Sequence, residues 1–150
     1  MVRPKFVIQH FIACSNVNWE GYPGRGVGRI LEGVSYLYPV AANVEAPSFP
    51  EMWLYARMFL LNGVAGKRRF WVELARSEPD RYFDPLTTWP VGEVEFRPEI
   101  TVYNEAWPLR RILFPVRGAY EFRLMYSGRV RGVRQRILAA KEFIQIETLR

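Results

Sequence analysis

The run Gly118-Ala-Tyr-Glu-Phe-Arg-Leu-Met-Tyr-Ser-Gly128 constrains this chain more than any other stretch. Tyr120, Phe122, Leu124 and Tyr126 fall on one side of an extended backbone, and Glu121 and Arg123 fall on the other. Alternation with a period of two over a full strand length does not suit a helix, whose apolar residues recur every three to four positions. It predicts an antiparallel sheet with one face buried and one wet. Ser127-Gly128 reads as the turn that closes the strand.

Further strands follow the same period. Residues 6–17 read as a first strand, with Phe6, Ile8, Ile12 and Cys14 on one face. A second runs over about 29–38, and 39–50 is a proline-bearing connection. Residues 51–61 are apolar on both faces, as a central strand is: Trp53, Tyr55 and Phe59 lie on one side, and Leu54, Ala56, Met58 and Leu60 on the other. A short buried helix is the alternative there. Asn62 to Gly66 reads as a hairpin loop, and Phe70, Val72 and Leu74 share one face of the returning strand. Residues 77–90, broken by Pro79, Pro85 and Pro90, read as a long loop. Short strands are expected over 91–96, 100–106 and 143–147, and 111–116 leads into the strong strand. Trp89-Pro90 and Trp107-Pro108 open two similar strand entries. Residues 130–142 read as a strand pairing with 119–126, with a short helix as the alternative, because Leu138 to Glu142 are good helix formers.

No strand–helix alternation is visible, so a parallel sheet is not expected. The expected fold is all-β: a single antiparallel β-sandwich domain over residues 1–150, with about seven or eight strands. Tyr120, two residues after Gly118 at a strand start, is placed either for a corner hydrogen bond to backbone or for ordinary core packing.

Charge is spread unevenly. The formal net charge is +6, and residues 101–150 carry ten basic and four acidic groups, so they hold the whole excess. Arginine supplies 18 of the 21 basic residues. The densest basic run is Arg129, Arg131, Arg134 and Arg136. Such a patch suits nucleic-acid phosphates, acidic lipids or an acidic partner. A solvated hairpin tip or an edge strand charged against aggregation is the simpler explanation. Alternate residues of a strand share a face, so Arg134 and Arg136 are expected to point one way, and Arg129 and Arg131 to do likewise. The aromatic interleaving of a single-strand binder is missing from 127–142.

Other chemistry finds little support. Cys14 is the one cysteine, so no disulfide framework forms within a chain. His10, the one histidine, stands roughly 13 Å from Cys14 along a strand. No zinc ligand set and no nucleophile elbow accompany it. Gly21, Gly24, Gly26 and Gly28 lead into a strand-like segment, where a phosphate loop would lead into a helix. Glu93 and Glu95 share the wet face of a strand. Glu78, Asp80 and Asp84, with Arg81, are the residues a loop-based metal-dependent enzyme would use, but calcium-loop spacing is absent. No catalytic residue, metal ligand or cofactor is therefore assigned. Without a signal-like N-terminal run or a stretch of ~18 apolar residues, a cytoplasmic protein with no membrane span is expected.

Several blocks resemble an uncharacterised family of small bacterial all-β domains of unknown function. They are Phe11-Ile-Ala-Cys14, Pro50-Glu-Met-Trp-Leu-Tyr-Ala56, the alternating Gly118–Gly128 run, and Leu138-Ala139 followed by Phe143. The resemblance implies a sandwich and no activity, and it carries no functional residue. Arg129 to Arg136 depart from that pattern, as though the last hairpin were extended. The functional expectation is a non-catalytic binding or adaptor module acting through protein contacts. The alternatives are a nucleic-acid or other anionic ligand at the arginine patch, and the loop-carboxylate enzyme.

Overall fold

A computed structural model describes residues 2–21, 27–32, 34–35 and 37–148. The described residues form ten strands and no helix, and the all-β expectation holds. They are β1 (Phe6–Cys14), β2 (Asn16–Gly21), β3 (Val27–Glu32), β4 (Leu37–Val40), β5 (Ser48–Leu60), β6 (Gly66–Arg76), β7 (Thr87–Phe96), β8 (Val102–Leu113), β9 (Gly118–Val130) and β10 (Val133–Thr148). Eight of them make two sheets, one of order β1-β5-β8 and one of order β4-β10-β9-β6-β7, and β2-β3 is a separate pair.

One apolar core joins the two sheets. Leu54, Ala56, Met58 and Trp107 enter it from the three-stranded sheet, and Phe70, Val72, Phe122 and Leu124 from the five-stranded one. β5 is the central strand expected of a segment apolar on both faces. Its other face carries Tyr55, which forms a small second cluster with Cys14, and Ile12, Trp53 and Ala106 pack against the pair. A bulge in β1 between Ile8 and His10 shifts the alternation. Phe11 and Ala13 therefore enter the main core, while Ile12 and Cys14, expected beside Phe6 and Ile8, face the other way.

Four further expectations are corrected. Residues 62–65 do not close a hairpin: β5 and β6 lie in different sheets, and the loop is a corner between them. Both strands still bury one apolar face in the same core, which is all that their alternation requires. The turn at Ser127-Gly128 is absent, because Gly128 pairs with Gln135 inside the β9–β10 ladder. The reversal occurs at Arg131-Gly132, with φ of 51° and 78°, the left-handed pair of a two-residue hairpin turn. The segments read at 100–106 and 111–116 meet in one strand, β8; it is an edge strand, where Pro108, opposite Trp53, is tolerated without an N–H. Finally, β4 pairs with β10 in parallel, so the larger sheet is not wholly antiparallel.

Apart from the turn at Arg131-Gly132, residues 130–142 are extended, without the alternative helix; the thirteen pairings of β10 with β9 outweigh the helix propensity of 138–142. Tyr120 makes the corner bond and also fills the core. Its hydroxyl donates to the Val116 carbonyl and accepts from the Val116 N–H at 3.2 Å, and the residue is fully buried. The hairpin pair β2-β3 confirms a strand after the glycine-rich segment, while Gly24 and Gly26 lie outside the described residues.

Candidate anion-binding site

The β9–β10 hairpin, β6 and the N-terminal arm meet at one end of the five-stranded sheet. The arm is tied down by backbone. Asn62 accepts from the Lys5 N–H at 3.0 Å and donates to the Arg3 carbonyl at 2.9 Å, and the Leu61 N–H reaches the Lys5 carbonyl at 2.7 Å. Pro4 lies against Gly66 so closely that a Cβ there would stand 2.9 Å from its ring. This fit brings Arg3 beside the start of β6, where Lys67, Arg68 and Arg69 are consecutive.

Arg68 is the keystone of the site. Its guanidinium donates to the Ser127 carbonyl at 3.0 Å and to the Pro4 carbonyl at 3.3 Å, and it lies over the Tyr126 ring at 5.7 Å. Its Nε is buried with no hydrogen-bond partner among the described residues. Burial, and then the charge of Arg3, pull its pKa below the usual guanidinium value. An anion placed beside it would act in the opposite sense and favour the charged guanidinium. Arg134 adds a second fixed cation, with its Nε donating to Ser127 Oγ at 3.0 Å.

These groups line a cavity of about 360 Å³: Arg3, Lys67, Arg68, Arg69 and Arg134, with Ser127 and Glu93. A neighbouring cavity of about 290 Å³ shares Arg3, Lys67, Arg68 and Arg134. Glu93 is the one carboxylate in the lining, and it pairs with Arg69 at 3.5 Å. Among the described residues, the other four cations have no carboxylate partner.

The four expected arginines part company. Arg134 lines the cavity, and Arg129 stands opposite it in the ladder. Arg136 shares the face of Arg134, but it turns to Glu73 at 3.9 Å and covers the Trp71 ring at 4.6 Å. Arg131 occupies the turn, so it does not share a strand face with Arg129. Arg3, Lys67, Arg68 and Arg69 were not among the expected site residues. Lys67-Arg68-Arg69 is a visible basic triplet, but nothing in the order of residues tells that Ser127 and Arg134 lie beside it.

A second, larger cavity of about 640 Å³ lies on the outward face of the same sheet, under the loop 77–86. Glu121 and Arg123, expected on a wet face, are only 5% and 3% exposed. The loop covers them: Arg123 donates to the Phe83 carbonyl at 2.9 Å, and Tyr82 lies 4.5 Å from its guanidinium carbon. An ion-pair chain runs beneath. Lys141 meets Glu121 at 3.3 Å, Glu121 meets Arg123 at 2.8 Å, and Arg123 meets Glu73 at 3.8 Å. Burial raises the Glu121 pKa, but the hydrogen bond and charge of Arg123, with those of Lys141, outweigh it and hold it below the usual carboxylate range.

Asp80 and Arg81 line this second cavity, and Arg81 pairs with Glu78 at 3.8 Å. No group of three metal-ligating side chains occurs among the described residues. His10 is exposed on β1, and the buried Cys14 thiol faces the Trp53 carbonyl at 3.6 Å. No helix of the described residues is long and apolar enough to cross a membrane. No protein-family model matches the sequence, and no curated protein matches it.

Proposed function

We propose that this protein is a non-catalytic binding module whose ligand carries negative charge and is held at the hairpin end of the larger sheet. One observation carries this reading: five cations converge on a cavity whose single carboxylate is already paired. Guanidinium groups with fixed orientation suit carboxylate or phosphate oxygens. Arg68 and Arg134 are so fixed by their bonds around Ser127. The charged side chains beneath the loop 77–86, by contrast, set the carboxylates Glu73 and Glu121 against the cations Arg123 and Lys141, and that region is read as structural.

The exposed pair Val130 and Val133 beside the turn favours a second reading, contact with an acidic protein segment. The two sheets are read as a β-sandwich, and the chain as a bacterial cytoplasmic protein.

Nuclear magnetic resonance titration with inorganic polyphosphate tests the proposal. Side-chain shifts at Arg68 and Arg134, saturating with ligand, are expected. Shifts spread evenly over all arginines, or confined to those beneath the loop 77–86, would overturn it.

A further inference from the structure

Residues 127–142 lack aromatic interleaving, but the fold brings an aromatic side chain beside them from another strand. Trp71 of β6 pairs with Met125 of β9, which pairs with Leu138 of β10. This row lies next to the Ser127–Arg136 pair on the outward face of the sheet. Arg136 covers the Trp71 ring at 4.6 Å. Further along the same face, Phe143 is 55% exposed, and it lines the larger cavity together with Tyr82, which is 71% exposed. From Arg134 to Phe143 is about 30 Å of strand.

We infer that the anion is a single-stranded nucleic acid, laid along the outward face of β10 and over β6 and β9 only as far as Trp71 and Met125, where the loop 77–86 begins to cover the sheet; this rests on the anion-binding reading above. Its phosphates would enter the pocket of Lys67, Arg68 and Arg134. One base would stack on the Arg136–Trp71 pair, and another on Phe143 or Tyr82. A guanidinium over an indole offers its outer plane to a base, and any base has a face to give, so such stacking is tolerant of sequence. A duplex keeps its bases stacked on one another and cannot use these platforms. A length of about five nucleotides fits a sheet of this size.

Fluorescence polarisation with a labelled oligothymidylate tests this. The competitors are duplex of the same length and inorganic polyphosphate, in about 50 and 200 mM salt. The variants are Phe143→Ser and Tyr82→Ser, both at exposed positions, and Arg134→Ser. Single strands are expected to bind at least tenfold tighter than duplex. The two aromatic variants together should lose roughly tenfold for the oligonucleotide, while polyphosphate affinity stays unchanged. Arg134→Ser should weaken both ligands and flatten the salt dependence. Duplex bound as tightly as single strand, or aromatic variants that bind like wild type, would overturn the inference and leave the anion site standing. Failure of both polyphosphate and oligonucleotide to bind at the lower salt would overturn both.

Discussion

Arg123 donates to the Glu121 carboxylate at 2.8 Å on the outward face of a sheet, and both side chains are buried. A strand that alternates apolar and charged residues normally leaves its charges in water. Here the loop 77–86 has taken the place of water, and Arg123 holds the loop by the Phe83 carbonyl. Removing one partner of a buried ion network leaves the others charged and unpaired, at a cost of about 3–5 kcal/mol. Arg123→Met is therefore expected to destabilise by that amount in urea unfolding, and to make the loop 77–86 a protease target. A loss below about 1 kcal/mol, the range of an exposed pair, would contradict the role given to Arg123.

The Tyr120 hydroxyl satisfies both the backbone N–H and the carbonyl of Val116. Tyr120→Phe keeps the ring in the core and removes only these bonds. A loss of about 1–2 kcal/mol is expected. For a chain of this length, that corresponds to a fall in Tm of very roughly 2–8 °C. An unchanged Tm would show that the corner bond is incidental.

Arg131 sits at φ 51°, in the left-handed region, and Gly132 follows at 78°. An arginine there costs about 1 kcal/mol that asparagine largely avoids. Arg131→Asn should therefore raise stability by about 0.5–1 kcal/mol and leave polyphosphate affinity nearly unchanged, because Arg131 does not line the cavity. A marked loss of affinity in calorimetry would restore Arg131 to the site.

Glu142 accepts from the Ala13 N–H at 3.0 Å and so ties β10 to β1. Burial raises its pKa, against the pull of the Ala13 and Phe143 N–H groups. A folded-state value above the unfolded one means that the folded protein binds the proton more tightly. The wild type therefore loses stability as pH rises from the ordinary carboxylate range through the raised value. Glu142→Gln keeps an acceptor for Ala13 and carries no charge. Its stability relative to wild type should grow as pH rises above the ordinary carboxylate range. Glu121 works in the opposite sense: its lowered pKa gives stability that is lost on acidification, equally in both proteins. A difference that stays flat with pH would refute the assignment to Glu142.

Local pattern was legible where one strand face meets one core. The alternation of β9, the two apolar faces of β5 and the corner position of Tyr120 all follow from period and burial. What failed was pairing. Ser127-Gly128 looks like a turn, yet Gly128 serves packing: a Cβ there would stand 2.3 Å from the Ile137 side chain across the ladder. Asn62 to Gly66 looks like a hairpin, yet its strands part into two sheets, because alternation is blind to which neighbour a strand chooses. The same blindness hid the site. Arg134 was visible as part of a basic run, but the Ser127 contact that brings Arg68 beside it joins residues 59 positions apart. The wet-face reading of Glu121 and Arg123 failed because the loop that buries them lies some forty residues away in the chain.

The central claim is that the hairpin-end cavity holds an anion. Its most direct test is calorimetric titration of inorganic polyphosphate into wild type and into the double variant Lys67→Ser, Arg134→Ser, at about 50 and 200 mM salt. Both residues line the cavity and lack a carboxylate partner among the described residues, so their loss should leave the fold intact. At least tenfold weaker binding in the variant, with a shallower dependence on salt, is expected. Equal affinity and equal salt dependence in the two proteins would contradict the claim.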